Sequence, residues 1–338
     1  MVQWKDKILK VFLKKEGFNM PDNPARRLTQ GAMMVALFVI ILAISAFIPS
    51  VYIVTIWVLP LPIAWYSAKY STGPSITVTI AALILSFIIS GGLAAMPAAL
   101  IFSVIGLVMG TTIRLKKSKA YMFIAASLAS FITVSVSYKA AVQIMNIDVL
   151  QLGLDFAHNS IDTSRKMLDQ MELSAAQMKQ LVARLDYVDK SVDAILPAVV
   201  VMSIIAIVFI ALLVCLPILR KLGVQAPKFN AFRHMKLPRS LLWYYLAVLV
   251  IQMFVKPAEG TYLYVAVLNL SLLLVMLLAL QGYSLLHFFL YEKNIPKGVV
   301  WIVTIVTLPL AQFMPLIGLI DVGFDVRTFI QRKTKNRS

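Results

Sequence analysis

The sequence predicts an all-α protein that crosses a lipid bilayer many times. Three observations predict this fold class: hydrophobic residues make up 60% of the 338 residues, charged residues make up only 14%, and the mean hydropathy is +0.85. Globular domains are about 45–50% apolar and about 25% charged, so a soluble core could not bury this share of apolar surface. The same balance excludes intrinsic disorder. The single cysteine, Cys215, excludes a disulfide framework.

Nine apolar segments are long enough, or nearly long enough, to cross the membrane. A bilayer core of about 30 Å needs roughly 20 apolar residues in a helix. Three segments have only about 15–16 residues and would span with help from flanking residues or a thin bilayer, so we expect eight or nine spans. The segments are 28–48, 51–66, 76–90, 94–113, 121–144, 194–219, 241–255, 261–290 and 299–320.

Basic residues lie in the first tail and in every second loop, at Lys69, at 114–119 and at 220–239. By the positive-inside rule this pattern predicts a bacterial cell-membrane protein with a cytoplasmic N-terminus. The far end leaves two alternatives. Nine full spans would place the basic C-terminal tail outside, whereas Pro309 and Pro315 could break the last segment into a re-entrant hairpin instead of a kinked span.

The chain therefore divides into five parts, one of which carries a polar insertion. A basic amphipathic segment (1–27) precedes a six-span core (28–220). A basic cytoplasmic loop (221–240), two or three further membrane segments (241–320) and a basic tail (321–338) follow. In the first part, Trp4, Ile8, Val11 and Phe12 share one helical face, which suits either a helix on the inner leaflet or a solvated tail.

The polar insertion (146–193) belongs to the core part and is expected on the extracytoplasmic side. It holds eight acidic and five basic residues. Its apolar residues recur at spacings of three and four residues, which is typical of a helix. Ser174 and Gln177 have the spacing of a capping box. We expect two helices joined near Ser174, the second continuing past Pro197 into the sixth span. The pair could cover a pocket, dock a partner or pack on itself as an inert hairpin. His158 is expected to be a solvated loop residue.

The sequence does not look like that of an enzyme. It has no glycine-rich phosphate loop, no nucleophile elbow and no HExxH. No carboxylate falls within the nine segments, so a proton relay is not expected. Basic residues punctuate apolar runs and do not gather in one polar domain, which argues against nucleic-acid binding. We expect a non-enzymatic protein with membrane lipid around it, no metal site and no cofactor.

The fifth apolar segment carries the most suggestive polar face. Five hydroxyl residues fall within about a 140° arc of the helix, and a lysine near its outer end could snorkel. The face suits an outward-opening pocket for a small polar or amphiphilic molecule. Alternatively, these hydroxyls bond the carbonyl one turn earlier. The candidate binding residues are Ser127, Ser130, Thr133, Ser137, Tyr138 and Lys139.

Small residues mark close helix packing at two places. Gly106 and Gly110 form GxxxG on the fourth segment, where internal packing is the simplest interpretation. Ala32 and Ala36 on the first segment could instead receive a partner subunit. Two isolated amides, Asn269 and Gln281, are expected to form interhelical hydrogen bonds.

A terminal motif of three charged residues closes the last segment. An acid–arginine pair at this membrane boundary could anchor the helix end or, alternatively, dock a partner. The residues are Asp321, Asp325 and Arg327.

The residues of the first six segments resemble the S components of energy-coupling-factor transporters. The resemblance covers residues of about 28 to 220 and rests on the run from Arg26 to Ala36, on Leu59-Pro60-Leu61-Pro62, and on Gly91-Gly92 before Pro97. Over nearly its whole length the chain is similar to the YybS-like family of uncharacterised bacterial membrane proteins. Its ending, Gly318-Leu-Ile-Asp321 with Phe324-Asp325-Val-Arg327, resembles the ending of that family.

The resemblance to S components implies a function and a docking pair. S components fold as six helices, bind vitamins or metal ions on the outer side, and dock through small residues of the first helix onto a T subunit that sits on ATPases. Carried over, Ala32 and Ala36 would be the docking pair. The chain departs from that pattern in its insertion and in the spans after Arg220, which could cover the surface that a T subunit needs.

Two functions are therefore expected. The first is an S-component-like membrane protein that binds a small molecule from outside within a larger complex, with a T-component-like or other membrane subunit as partner. The alternative is a non-transporting scaffold or regulatory subunit that docks proteins through its insertion and basic loops. A channel is disfavoured because no ring of charged residues lies within the spans.

Overall fold

The computed structural model describes residues 24–89, 96–171, 174–228 and 231–335, and every regular element in these ranges is helical. The all-α class is therefore confirmed, while the amphipathic face predicted at Trp4–Phe12 lies outside the described residues. The helices are α1 (Pro24–Phe47), α2 (Pro49–Val58), α3 (Leu61–Lys69), α4 (Thr72–Ile89), α5 (Met96–Arg114), α6 (Lys119–Met145), α7 (Val149–Asp169), α8 (Ala175–Lys221), α9 (Ser240–Val250), α10 (Tyr262–Glu292), α11 (Lys297–Val306), α12 (Met314–Phe324) and α13 (Val326–Lys335).

The helices of the described residues confirm a polytopic membrane protein. Seven are long and apolar enough to cross a membrane, with α2 and α3 counted together as Ser50–Lys69. An eighth span arises if the pair Gly298–Val306 and Leu308–Phe324, which is bent by 71°, counts as one. The bend falls beside Pro309, in a short 3-10 helix, because proline lacks the amide hydrogen of a regular helical turn. The region 240–255 is apolar but shorter, and it ends in one π-helical turn.

The chain forms two compact units. The first holds α1 to α5 with the first part of α6 and the end of α8. In this unit α5 lies against α3, because Gly106 and Gly110 have no side chains to keep the backbones apart. A Cβ on Gly106 would lie 3.1 Å from that of Ile63, and one on Gly110 would lie 2.5 Å from that of Ser67. The internal packing predicted for this GxxxG pair is confirmed.

The second unit holds the remainder of α6, α7, the first part of α8, and α9 to α13. Its core joins Leu241 and Val248 of α9 to apolar residues of α10 and to Val322 of α12. The helices α10 and α12 approach most closely at two glycines. A Cβ on Gly282 would lie 3.3 Å from the backbone nitrogen of Gly318. This close approach brings the polar side chains next to the two glycines within reach of one another.

The insertion consists of the two predicted helices, α7 and the first part of α8. The capping box forms as expected: the backbone nitrogen of Ser174 donates to Gln177 Oε1 at 3.1 Å, and that of Gln177 donates to Ser174 Oγ at 3.4 Å. From there α8 runs for 47 residues through Pro197 into the sixth apolar segment. Asn269 of α10 holds this helix near Pro197, because it accepts from the Ala198 nitrogen at 2.7 Å and donates to the Ala194 oxygen at 2.6 Å. The predicted interhelical role of Asn269 is confirmed.

Candidate functional site

The hydroxyl face of α6 begins in the first unit with Ser127, Ser130 and Thr133. Thr133 Oγ1 donates to the carbonyl oxygen of Ala129, one turn earlier, at 2.8 Å. This is the alternative in which the hydroxyl bonds the backbone of its own helix. The Oγ atoms of Ser127 and Ser130 are buried and have no hydrogen-bond partner among the described residues. A buried polar atom is normally hydrogen-bonded to protein or water, so these two hydroxyls lack the hydrogen bond that buried hydroxyls usually form.

The rest of the predicted face lies in the second unit and has different surroundings. Tyr138 donates its hydroxyl proton to Asp148 Oδ1 at 3.1 Å. The same Asp148 oxygen accepts from the backbone nitrogen of Gln151 and so caps the first turn of α7. Ser137 is half-buried and Lys139 is exposed. Tyr138 therefore ties the end of α6 to the start of α7.

Both alanines of the predicted docking pair are exposed on α1. Ala32 and Ala36 lie on the face that also exposes Met33 and Ile40, whereas Phe38 and its neighbours on the opposite face are buried. In the first unit, therefore, the pair is not used to pack one helix on another. The outer face of α1 is free to contact lipid or a partner protein.

The second unit contains a buried ion pair between Asp321 of α12 and Arg327 of α13. Arg327 Nε donates to Asp321 Oδ2 at 2.9 Å, and the two side chains are only 3% and 2% exposed. The turn that brings them together is made at Asp325, whose φ of 46° is left-handed and ends α12. The pair therefore lies at the end of α12 and is buried in the interior of this unit. Its predicted roles, as an anchor of the helix end or as a docking site, stay predictions.

Two further side chains, Gln281 and Ser284, contact this ion pair. We call the four residues Gln281, Ser284, Asp321 and Arg327 the C-terminal cluster. Gln281 Nε2 donates to Asp321 Oδ2 at 2.5 Å, and Arg327 Nη2 donates to Ser284 Oγ at 3.1 Å. The predicted interhelical hydrogen bond of Gln281 is thereby confirmed.

The cluster also fixes the segment that precedes α9. Arg327 Nη1 donates to the carbonyl oxygen of Arg233 at 2.6 Å. Gln281 Oε1 accepts from the backbone nitrogen of Leu237 at 3.1 Å, and Ser284 Oγ lies 2.7 Å from the carbonyl oxygen of Phe232. These backbone partners carry no pattern in the sequence, which is why the sequence did not predict the cluster. The only available signal was that Gln281 and Ser284 share one face of an otherwise apolar helix.

A second ion pair lies beside the cluster but near the surface. Lys236 Nζ is 2.9 Å from Asp325 Oδ1, with side-chain exposures of 55% and 37%. The hydrogen bond from Lys236, together with one from Thr328, lowers the pKa of the Asp325 carboxyl below its ordinary value. Asp325, the remaining residue of the predicted terminal motif, therefore forms an ion pair with Lys236 in the segment before α9, not with Arg327.

A network of ion pairs joins α7 to α8 in the insertion. Arg165 lies 2.9 Å from each of Asp162, Asp186 and Asp189. His158 Nδ1 lies 2.7 Å from Asp189 Oδ1, and this hydrogen bond raises the pKa of the imidazole. The prediction that His158 is a solvated loop residue is wrong, because His158 lies within α7 and contacts Asp189 of α8. Among the described residues, no group of three histidine, cysteine or acidic side chains is placed to hold a metal ion.

Comparisons with known proteins agree with this architecture. Residues 36–322 match the model of the family described as "Predicted membrane protein (DUF2232)". The chain is 24% identical over 309 residues to the "Uncharacterized protein YybS" of Bacillus subtilis (strain 168), an alignment that covers 90% of this chain and 99% of the relative. No solved structure matches the chain. The sequence resemblance to YybS-like proteins is therefore confirmed, and the chain belongs to the DUF2232 family of membrane proteins.

Proposed function

We propose that this membrane protein has no catalytic activity and binds a small polar or amphiphilic molecule from the extracytoplasmic side, as S components do, within a larger membrane complex. The observation that carries the proposal is the pair of buried, unpartnered hydroxyls of Ser127 and Ser130 on α6. An unpaired buried hydroxyl destabilises the fold, by roughly 1–3 kcal/mol in mutational data. A bound polar molecule would supply the partner that the described residues do not.

Most other buried hydroxyls of the first unit support this interpretation by contrast; the exception among the described residues is Ser67, whose unpartnered Oγ lies in the close contact of α3 with α5. Ser86 Oγ donates to the Ala82 carbonyl and Thr79 Oγ1 to the Ser75 carbonyl, each at less than 3 Å. Serine and threonine hydroxyls in apolar helices ordinarily form this hydrogen bond to the carbonyl one turn earlier. Ser127 and Ser130 differ, although they lie on a helix of the same kind.

The exposed pair on α1 supports membership in a complex. Small side chains let another helix approach closely, which is how helices associate when lipid is as apolar as leucine. Ala32 and Ala36 are exposed and therefore free for such a contact. In this proposal the N-terminus is cytoplasmic, and the partner is a T-component-like subunit or another integral membrane protein.

Ligand retention tests the binding site. We expect protein purified from its own membranes to release a small molecule on denaturation, and the Ser127→Val and Ser130→Val double variant to retain at least about tenfold less, as loss of one or two hydrogen bonds implies. The matched control is Ser86→Ala, which removes a buried hydroxyl that is already paired. Equal retention by the double variant, or an absence of any retained molecule from the wild type, contradicts the proposal.

A second candidate, a scaffold or regulatory subunit, is favoured by the insertion. The ion pairs of Arg165 and His158 hold α7 against α8, and α7 exposes Val149, Leu152 and Phe156 on one face. A rigid hairpin with an exposed apolar face suits contact with another protein.

Two variants separate the candidates. Replacing Ala32 and Ala36 by leucine removes the small surface on α1, whereas deleting 148–189 removes the insertion. The leading proposal expects the leucine variant to lose its membrane partner, while Val136→Leu, which introduces leucine at an exposed position of α6, retains it. Loss of partners in the deletion variant alone supports the scaffold.

A further inference from the structure

The C-terminal cluster contains one acceptor atom that its own hydrogen bonds leave unused. Asp321 is buried, and its Oδ2 accepts from both Arg327 and Gln281. Its other oxygen, Oδ1, is buried and has no hydrogen-bond partner among the described residues. A carboxylate oxygen accepts up to two hydrogen bonds, and a buried one without any is costly. Asp321 therefore requires a donor from outside the described side chains.

The space for such a donor lies directly beside Asp321. A cavity of about 80 Å³ is lined at depth by Asp321, Gln281 and Val322, and at its open side by Lys236, Arg239 and Asp325. One water occupies about 30 Å³ of liquid volume. The cavity is thus larger than a single water needs and has the size of a small polar group.

The charges around the cavity are divided between its two ends. At depth stands the unused acceptor of Asp321. At the open side Asp325 is in direct contact with Lys236, 2.9 Å away, and it also interacts electrostatically with Arg239, to which no direct ion pair is formed. The deep end therefore suits a hydrogen-bond donor, and the open end suits an anion. Two basic and two acidic side chains line the cavity, so their formal charges balance, which suits a zwitterion better than a simple cation or anion.

The cavity also lies where a membrane surface is expected. Gln281 is 19 residues after the first residue of α10, which corresponds to about 29 Å of helix, the thickness of a bilayer core. Arg239 directly precedes the apolar helix α9. A lipid head group at this level would reach the cavity without leaving the membrane.

We propose that this cavity binds a zwitterionic group of the phosphoethanolamine type, whose ammonium donates to Asp321 Oδ1 and whose phosphate contacts Arg239. Either a lipid head group or the free soluble compound can supply this chemistry. The site is independent of the hydroxyls on α6, so its failure would leave the proposed function untouched.

The test compares two head groups with the same phosphate and net charge: one has N–H donors, and the other has three N-methyl groups in their place. The full chain in detergent is incubated with equal amounts of dioleoyl phosphatidylethanolamine and dioleoyl phosphatidylcholine, and retained lipid is counted by native mass spectrometry. Phosphatidylcholine has the same phosphate and net charge but no N–H. We expect about tenfold preference for phosphatidylethanolamine, as one hydrogen bond to a charged group provides. In a second arm, free phosphoethanolamine and phosphocholine are compared by their effect on Tm.

Three variants assign the contacts. Asp321→Asn should bring the ratio of the two lipids close to one, and Arg239→Gln should lower retention of both by about fivefold without changing the ratio. Lys228→Gln, an exposed basic residue of the same loop that does not line the cavity, should change neither. If Asp321→Asn does not fold, the wild-type ratio and Arg239→Gln decide.

A preference in either arm supports the proposal, and the arm in which it appears identifies the source as lipid or soluble. Equal retention of both lipids by the wild type, with no difference in Tm between the two soluble compounds, overturns it. A folded Asp321→Asn protein that keeps the full preference overturns it as well.

Discussion

Substitution of Arg327 should destabilise the second unit far more than substitution of Lys236. The N–O distance is 2.9 Å in both ion pairs, Arg327 with Asp321 and Lys236 with Asp325, but only the first pair is buried. Arg327→Met leaves the Asp321 carboxylate buried with Gln281 as its remaining donor and leaves the Arg233 carbonyl unpaired. Breaking a buried pair from one side costs about 3–5 kcal/mol. The pair made by Lys236 is exposed, so Lys236→Met should cost about 0–1 kcal/mol.

The assay is unfolding of purified protein in mixed micelles as the fraction of dodecyl sulfate increases, followed by circular dichroism. A third variant, Asp321→Leu with Arg327→Met, replaces the pair by apolar side chains and should recover most of the loss, because no unpaired charge remains buried. If Arg327→Met costs no more than Lys236→Met, or if the double variant is as unstable as the sum of its two single changes, the description of a buried, mutually dependent pair is wrong.

Three further predictions follow from the packing and the electrostatics. Gly318→Ala should lower Tm, because its Cβ would overlap the Leu278 carbonyl oxygen and overpacking costs about 1–3 kcal/mol, whereas Gly323→Ala would meet only a leucine methyl at 3.3 Å and should be tolerated. The raised pKa of His158 stabilises the fold below the ordinary value of 6.5 and loses this effect as pH rises through the folded value, so the Tm difference between wild type and His158→Gln should be largest in acid and vanish in base. A photo-crosslinker at position 36 should capture a membrane protein, whereas one at Val136 should capture lipid only, and identical products at the two positions would refute the docking surface.

The spans and their helical class could be predicted because they depend on composition and on the length of apolar runs, which are local properties. The capping box at Ser174 and the amides Asn269 and Gln281 were also predictable, since each is a polar residue with one physically reasonable role at its position.

The burial of Arg327 was not predictable in the same way. Its partners include the backbone carbonyl of Arg233, 94 residues away, and a backbone atom is present at every position of every sequence. Helical periodicity placed Ser127, Ser130 and Thr133 on one side of α6, but it could not distinguish the hydroxyl that bonds its own turn from the two that do not. His158 was expected in a loop because no histidine or cysteine lies at metal-ligand spacing from it, an argument that does not address whether the residue is helical.

The most direct test of the proposed function is the composition of the intact particle. The full chain, with a tag, would be extracted from its own membranes into polymer-bounded lipid discs and its complex weighed by native mass spectrometry. We expect at least one additional integral membrane subunit, and one small molecule per chain that is missing from the Ser127→Val and Ser130→Val double variant. A particle that contains this chain and bulk lipid alone, with the same composition in the variant, would contradict it.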